Sequence, residues 1–131
     1  MEGIREYFEK TEGVGILATS DFSGQVNAAV YERPNFMDDD TVAFIMPDHL
    51  THKDLGSNPH ASYLFMESGG RANGVRLYLT RLKEEKDSET IGRLLERKHY
   101  TVPDAQKNRP LFLVYFHVDR TRKLIEDGEQ P

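Results

Sequence analysis

Residues 44–59 read FIMPDHLTHKDLGSNP. A β-type run ends at Met46-Pro47, a polar segment with His49, Thr51, His52 and Lys53 follows, and Asn58-Pro59 closes it. Thr51 and Asp54 fit the S/T-x-x-D/E spacing of a helix N-terminus, which predicts a short helix starting near Thr51. The free backbone N–H groups at such a start would lie beside a hydroxyl and an ammonium, a combination suited to an anion such as a phosphate. The expectation is a β-barrel that holds the other end of the same ligand.

Upstream, Thr41 to Met46 reads as a strand with Val42, Phe44 and Met46 on one face. Before it, Val14 to Ser20 and Gln25 to Tyr31 form two strands of a hairpin around the turn signal Asp21-Phe22-Ser23-Gly24. Asn27, Ala28 and Ala29 place small residues in the second strand, where they either admit a closely packed layer or leave room for a flat ligand. Pro34 ends the paired part of that strand or marks an edge. Asp38, Asp39 and Asp40 read as a solvated hairpin turn, because no further carboxylates recur at calcium-loop spacing. At the start of the chain, residues 3–12 suit a short amphipathic helix with Ile4, Tyr7 and Phe8 on one face and Gly13 as its stop. It would cap one end of the barrel.

Downstream, His60 to Met66 is a fourth strand, and 68–74 is a Gly-rich connection containing Arg71. Val75 to Glu84 is a fifth strand, with Arg76, Tyr78 and Thr80 on the face opposite Val75, Leu77 and Leu79. These three either line a cleft or simply face solvent. Ser88 is the predicted cap of a helix whose buried stripe is Ile91, Leu94 and Leu95, with Arg97, Lys98 and His99 in its last turn. Tyr100 ends that helix, and Pro103 lies beyond it. Leu111 to Val118 is a strongly apolar, central strand, with Arg122 to Ile125 as a short final one and a frayed tail at 126–131. Strands without βαβ alternation, repeats or a linker point to a mainly β fold with accessory helices: one domain over 1–131, a six- to seven-stranded antiparallel barrel.

The composition bounds the function. The chain has 131 residues and no Cys, so no thiolate metal site or cysteine nucleophile exists. A formal net charge of -5 argues against a nucleic-acid footprint. The first residues lack a signal-peptide apolar region, and no apolar run approaches the roughly 20 residues of a membrane span, so a soluble cytoplasmic protein is expected. His49 and His52 have no third ligand nearby, and no metal is expected. No nucleophile–base motif is visible, so no catalytic residue is assigned.

Gly15-Ile16-Leu17-Ala18-Thr19, Thr41 to Met46, Thr51-His52-Lys53 with Asn58-Pro59, and the loop from Gly69 to Gly74 leading into Val75-Arg76-Leu77 together resemble the pyridoxamine 5′-phosphate oxidase-like family of FMN-binding split barrels, closest to its small members. The resemblance spans roughly residues 4–124. It implies an FMN-binding oxidoreductase acting on a small molecule, and a homodimer with the cofactor in the cleft between subunits. Backbone groups of Phe44, Ile45 and Met46 would lie along the flavin ring, Asn27, Ala28 and Ala29 would border it, and His49, Thr51, His52 and Lys53 would hold the phosphate. Residues around Arg71 and Arg76 would reach the partner's flavin. The chain ends soon after Leu124-Ile125, without the C-terminal substrate segment of the longer oxidase, so oxidation of pyridoxamine phosphate is not expected. The alternatives are a flavin electron carrier without a substrate, or a split barrel holding haem through His49 or His52, or the deazaflavin F420.

Overall fold

The structure is a computed structural model that describes residues 3–69, 72–97 and 109–128. Arg71, Lys98, His99, Tyr100 and Pro103, and the last three residues of the expected frayed tail, lie outside the described residues. The elements are α1 (Ile4–Lys10), β1 (Gly13–Ser20), β2 (Val26–Tyr31), β3 (Asn35–Phe36), β4 (Thr41–Pro47), α2 (Leu50–Ser57), β5 (His60–Glu67), β6 (Gly74–Lys86), α3 (Glu89–Arg97) and β7 (Leu111–Lys123). The strands form one antiparallel seven-stranded sheet in the order β2-β1-β5-β6-β7-β4-β3. The expected mainly β, antiparallel architecture is the observed one. Among the described residues, no helix is long and apolar enough to cross a membrane.

Period-two alternation explains the curl. Leu17, Val42, Phe44, Met46, Tyr63, Phe65, Leu77, Leu79, Val114, Phe116 and Val118 come from five strands yet pack into one cluster, so the sheet rolls around its inner face. Burying each such side chain stabilises the fold by roughly 1.5–3 kcal/mol. Ile4 and Phe8 of α1 join this cluster, and Phe8 meets the rings of Phe65 (4.9 Å) and Phe36 (5.8 Å), so the first helix does close one end of the roll. Strands β4 and β7 are covered on both faces. Ala43, Leu113 and Tyr115 turn outward and meet Ile91 and Leu94 of α3. That double burial accounts for the unbroken apolar run LFLVYF in β7.

The two ends of the strand order, β2 and β3, are not paired with each other. Helix α2 packs on β1, β2 and β4 and bridges this split. Strand β3 pairs only with Val42 and Ala43 of β4. From Phe44 onward, that edge of β4 has no strand beside it among the described residues.

Several boundaries differ from the sequence-based expectation. Helix α1 stops at Lys10, and Gly13 is the first residue of β1, not a helix stop. A side chain at Gly13 would run into the carbonyl of Met66 and lie 2.7 Å from the Phe65 ring, so this glycine serves strand packing. The short strand β3, just past the buried Pro34, was not anticipated; Asn35 Nδ2 donates to the carbonyl of Ala43 and ties it down. Arg122 and Lys123 do not begin a separate strand but continue β7, paired with Arg76 and Val75. The polar run 119–122 looks like a break, yet a ladder needs only backbone groups, and these side chains are accommodated outside, with Arg120 stacked 4.4 Å over the Tyr78 ring. Glu126, the first residue of the expected frayed tail, accepts from Arg122 Nε at 2.8 Å. The Asp38–Asp40 turn is the expected hairpin turn: Asp38 Oδ1 accepts from the Asp40 N–H at 3.1 Å.

Candidate functional site

The decisive segment follows β4. His49 N–H donates to the carbonyl of Pro47 at 2.9 Å, and Lys53 N–H to the carbonyl of His49 at 3.0 Å. His49 is therefore the N-cap of α2, in extended conformation, and no side chain caps the helix start. Thr51, expected as the cap, is two residues further on, the second residue of the helix. It is buried, and its Oγ1 accepts from Asn27 Nδ2 at 3.2 Å. Asp54, expected to complete a capping pair, is also buried and accepts from Thr19 Oγ1 at 2.9 Å. Both polar groups turn toward β1 and β2, because α2 must satisfy its buried polar face against the split. Among the described residues, the first N–H groups of α2 thus keep no side-chain partner of their own.

A cavity of about 420 Å³ occupies the split. Ala29 and Tyr31 of β2 form one wall, and Phe44 and Ile45 of β4 the other. His49 and Thr51 line the end nearest α2, and Leu95 and Leu111 close the far side. Burial pushes the Tyr31 phenol above its ordinary pKa, while the neighbouring Thr51 hydroxyl pulls the other way, so the phenol is neutral and a potential donor at neutral pH. The Tyr31 ring meets Phe44 edge-on at 6.0 Å.

Five of the sequence-derived residues converge here: Ala29, Phe44, Ile45, His49 and Thr51. Asn27 stands behind them through its bond to Thr51. The side chains of the other described ones lie elsewhere. Ala28 alternates to the exposed face of β2; Met46, expected to contribute backbone groups, has its side chain fully buried in the core. Lys53 is exposed and is not in the cavity wall. His52 stacks on Phe112 with ring centroids 3.8 Å apart, and its Nε2 lies 3.0 Å from Glu84 and its Nδ1 3.4 Å from Asp48. Burial opposes the charge on Glu84, but hydrogen bonds from Arg81 and His52 outweigh it and hold the carboxyl below its usual range. Arg76 sits on the outer face of β6, where its Nε donates to the Lys123 carbonyl at 2.9 Å.

Tyr31 was missed, although it is legible: residues 27, 29 and 31 share one face of a period-two strand. Leu95, Leu111 and Arg109, whose Nη1 donates to His49 Nε2 at 3.4 Å, carry no such signal and come together only in three dimensions. Among the described residues no group of three or more His, Asp or Glu is placed to hold a metal ion.

No protein-family model and no curated protein matches the sequence. Solved structures do. An FMN-binding protein from Syntrophomonas wolfei superimposes with a TM-score of 0.76 at 20% identity, over 95% of this chain and 86% of that one. A putative pyridoxamine 5′-phosphate oxidase from Listeria innocua gives 0.65 at 16% identity, over 94% and 96%. A protein described as an F420 reductase gives 0.70 at 14% identity, over 89% and 94%. Seven antiparallel strands in this order and three helices among the described residues, together with these superpositions, agree on one conclusion: the chain shares the fold of these solved structures, a split β-barrel.

Proposed function

We propose that this protein binds FMN in the split between β2 and β4 and acts as an oxidoreductase on a small molecule. The observation that carries the reading is the cavity itself: its walls are mainly apolar, one side is the unpaired edge of β4 from Phe44 onward, and one end is the uncapped start of α2. A flat aromatic ring needs apolar faces and a few fixed donors and acceptors at its rim. Ala29, Tyr31 and Ile45 supply the faces, the free backbone groups of β4 supply the rim contacts, and the α2 N–H groups with His49 and Thr51 suit a phosphate.

Bound FMN would supply the hydride or electron chemistry, and the protein the orientation and shielding. Ala29 leaves room where a larger side chain would fill the wall. Tyr31, held beside Thr51, offers its hydroxyl to the ligand.

The reading includes a homodimer. The outer face of β1 and β2 carries Val14, Val26 and Val30, which are 58%, 79% and 75% exposed. An apolar patch of this kind on a sheet favours a covering partner. Val30 also lines the cavity, so a second copy seated there would shield the cofactor, and Arg76 lies in the same cross-strand row as Val30, Ile16 and Leu64.

The test is direct. Purified protein is expected to show flavin absorption, or to acquire it with added FMN, and to run as a dimer by light scattering. Protein that stays colourless and takes up no FMN sinks the reading. The likeness to the F420 reductase supports a second ligand, the deazaflavin, and the mass of the extracted cofactor distinguishes the two.

A further inference from the structure

The charge needed at the phosphate end of the cavity has few sources. His52 is engaged by Phe112, Glu84 and Asp48, and Lys53 is exposed and makes no hydrogen bond to a lining side chain among the described residues. Arg33 lines the cavity, but its Nη1 donates to the carbonyls of Phe8 and Thr11 at 3.1 and 2.8 Å, which turns it toward α1. The chain as a whole carries a formal charge of -5, so no general positive field draws a phosphate in.

Among the described residues, one further cation reaches a side chain of that end. Arg109 is exposed, two residues before Leu111 of the cavity wall, and its Nη1 lies 3.4 Å from Nε2 of His49. Among the described residues this is the side-chain hydrogen bond it makes. A guanidinium carries five N–H donors, so the contact to His49 leaves its fork available. Two nitrogen-rich groups converging beside an uncapped helix start make an arrangement that an anion would stabilise from three directions. A planar fork also matches a phosphate in a way that a lysine point charge does not.

We infer that Arg109, with His49, is the pair that selects the phosphorylated form of the ligand. The inference rests on the flavin reading above and adds the residue that discriminates FMN from riboflavin, its form without phosphate. It also assigns that role to a side chain 60 positions away from the motif that suggested the phosphate.

Affinities for FMN and riboflavin, measured by titration on the same preparations, test it. In Arg109→Ala, FMN affinity should fall by about ten- to a hundredfold, with riboflavin affinity within about threefold of wild type, so the preference for FMN collapses. Arg109→Lys should restore part of the preference, and His49→Ala should lose part of it. A preference that survives in Arg109→Ala but falls in Lys53→Ala overturns the assignment. Equal loss of both flavins in Arg109→Ala also overturns it, because the residue would then support the cavity and not the phosphate. Wild-type protein that binds neither flavin removes the flavin reading and this assignment with it.

Discussion

The hydroxyl of Tyr63 donates to the carbonyl of Glu32 at 2.9 Å, with the carbonyl of Tyr31 also in reach at 3.2 Å. A core residue of β5 thereby fixes the end of β2 at the wall of the cavity. The phenol reaches that point by passing over Gly15, where any side chain would collide with its hydroxyl. Burial raises the Tyr63 pKa well above its ordinary value, so it remains a donor across the neutral range.

Gly15→Ala should therefore destabilise the protein by about 1–3 kcal/mol, the usual cost of overpacking, since the Tyr63 ring is fully buried and has nowhere to move. Tyr63→Phe should cost about 1 kcal/mol in stability. It should also weaken FMN binding, because the β2 end is no longer tied. Denaturant melts and flavin titration of both variants check this; a Tyr63→Phe protein with wild-type flavin affinity would show that the tie does not shape the cavity.

Thr51→Val should lose about 1–2 kcal/mol of stability, as Asn27 Nδ2 is left without its acceptor. Its cavity also loses a hydroxyl beside Tyr31 and His49. Ligand affinity should drop for FMN and riboflavin alike if Thr51 acts through Tyr31, and for FMN alone if it touches the phosphate.

His52→Ala should behave as a stability variant. The ring gives up its stack on Phe112 and its bond to Glu84, and Glu84 loses one of the two hydrogen bonds that favour its charge. Because the folded pKa of Glu84 lies below its ordinary 4.5, its contribution is present above that value and lost as pH falls through the folded pKa. The acid limb of a stability–pH curve should therefore be shallower in His52→Ala, with a general loss of about 1–2 kcal/mol. An unaltered melting curve would argue that the stack carries no energy.

His117 gives a second pH signature. A hydrogen bond from its Nδ1 to Asp119, at 2.8 Å, leads the causes that raise its pKa, with Asp40 adding attraction. A raised histidine pKa stabilises the fold fully below the unfolded value of about 6.5, and that stability is lost as pH rises through the higher folded value. The side chain is 45% exposed, so solvent screening keeps the effect below about 1 kcal/mol. His117→Asn should flatten the small decline in stability above pH 6.5; an identical slope in the variant would place its origin elsewhere.

Most of the fold was legible because its signals are local. Alternation placed Val42, Phe44 and Met46 on the inner face, the turn at Asp21–Gly24 formed the β1–β2 hairpin, and Ile91 and Leu94 marked the buried stripe of α3. The misjudged boundaries have a common physical origin: they were settled by distant partners. Gly13 belongs to a strand because β5 approaches it closely, and Arg122 remains in β7 because β6 extends far enough to pair with it.

From the residues alone came the strand pattern, the helix after β4 and the suspicion of an anion at its start, since spacing and polarity are properties of neighbours along the chain. Only the folded molecule decided which of those polar groups face the cavity. It kept Thr51 in the cavity wall while tying its hydroxyl to Asn27, turned Asp54 to Thr19, stacked His52 on Phe112, left Lys53 outside, and brought Arg109 to His49. The reason is packing: a short helix wedged into a split sheet must first satisfy its own buried face, and the side chains left over for a ligand are those that the other walls of the split bring to meet it.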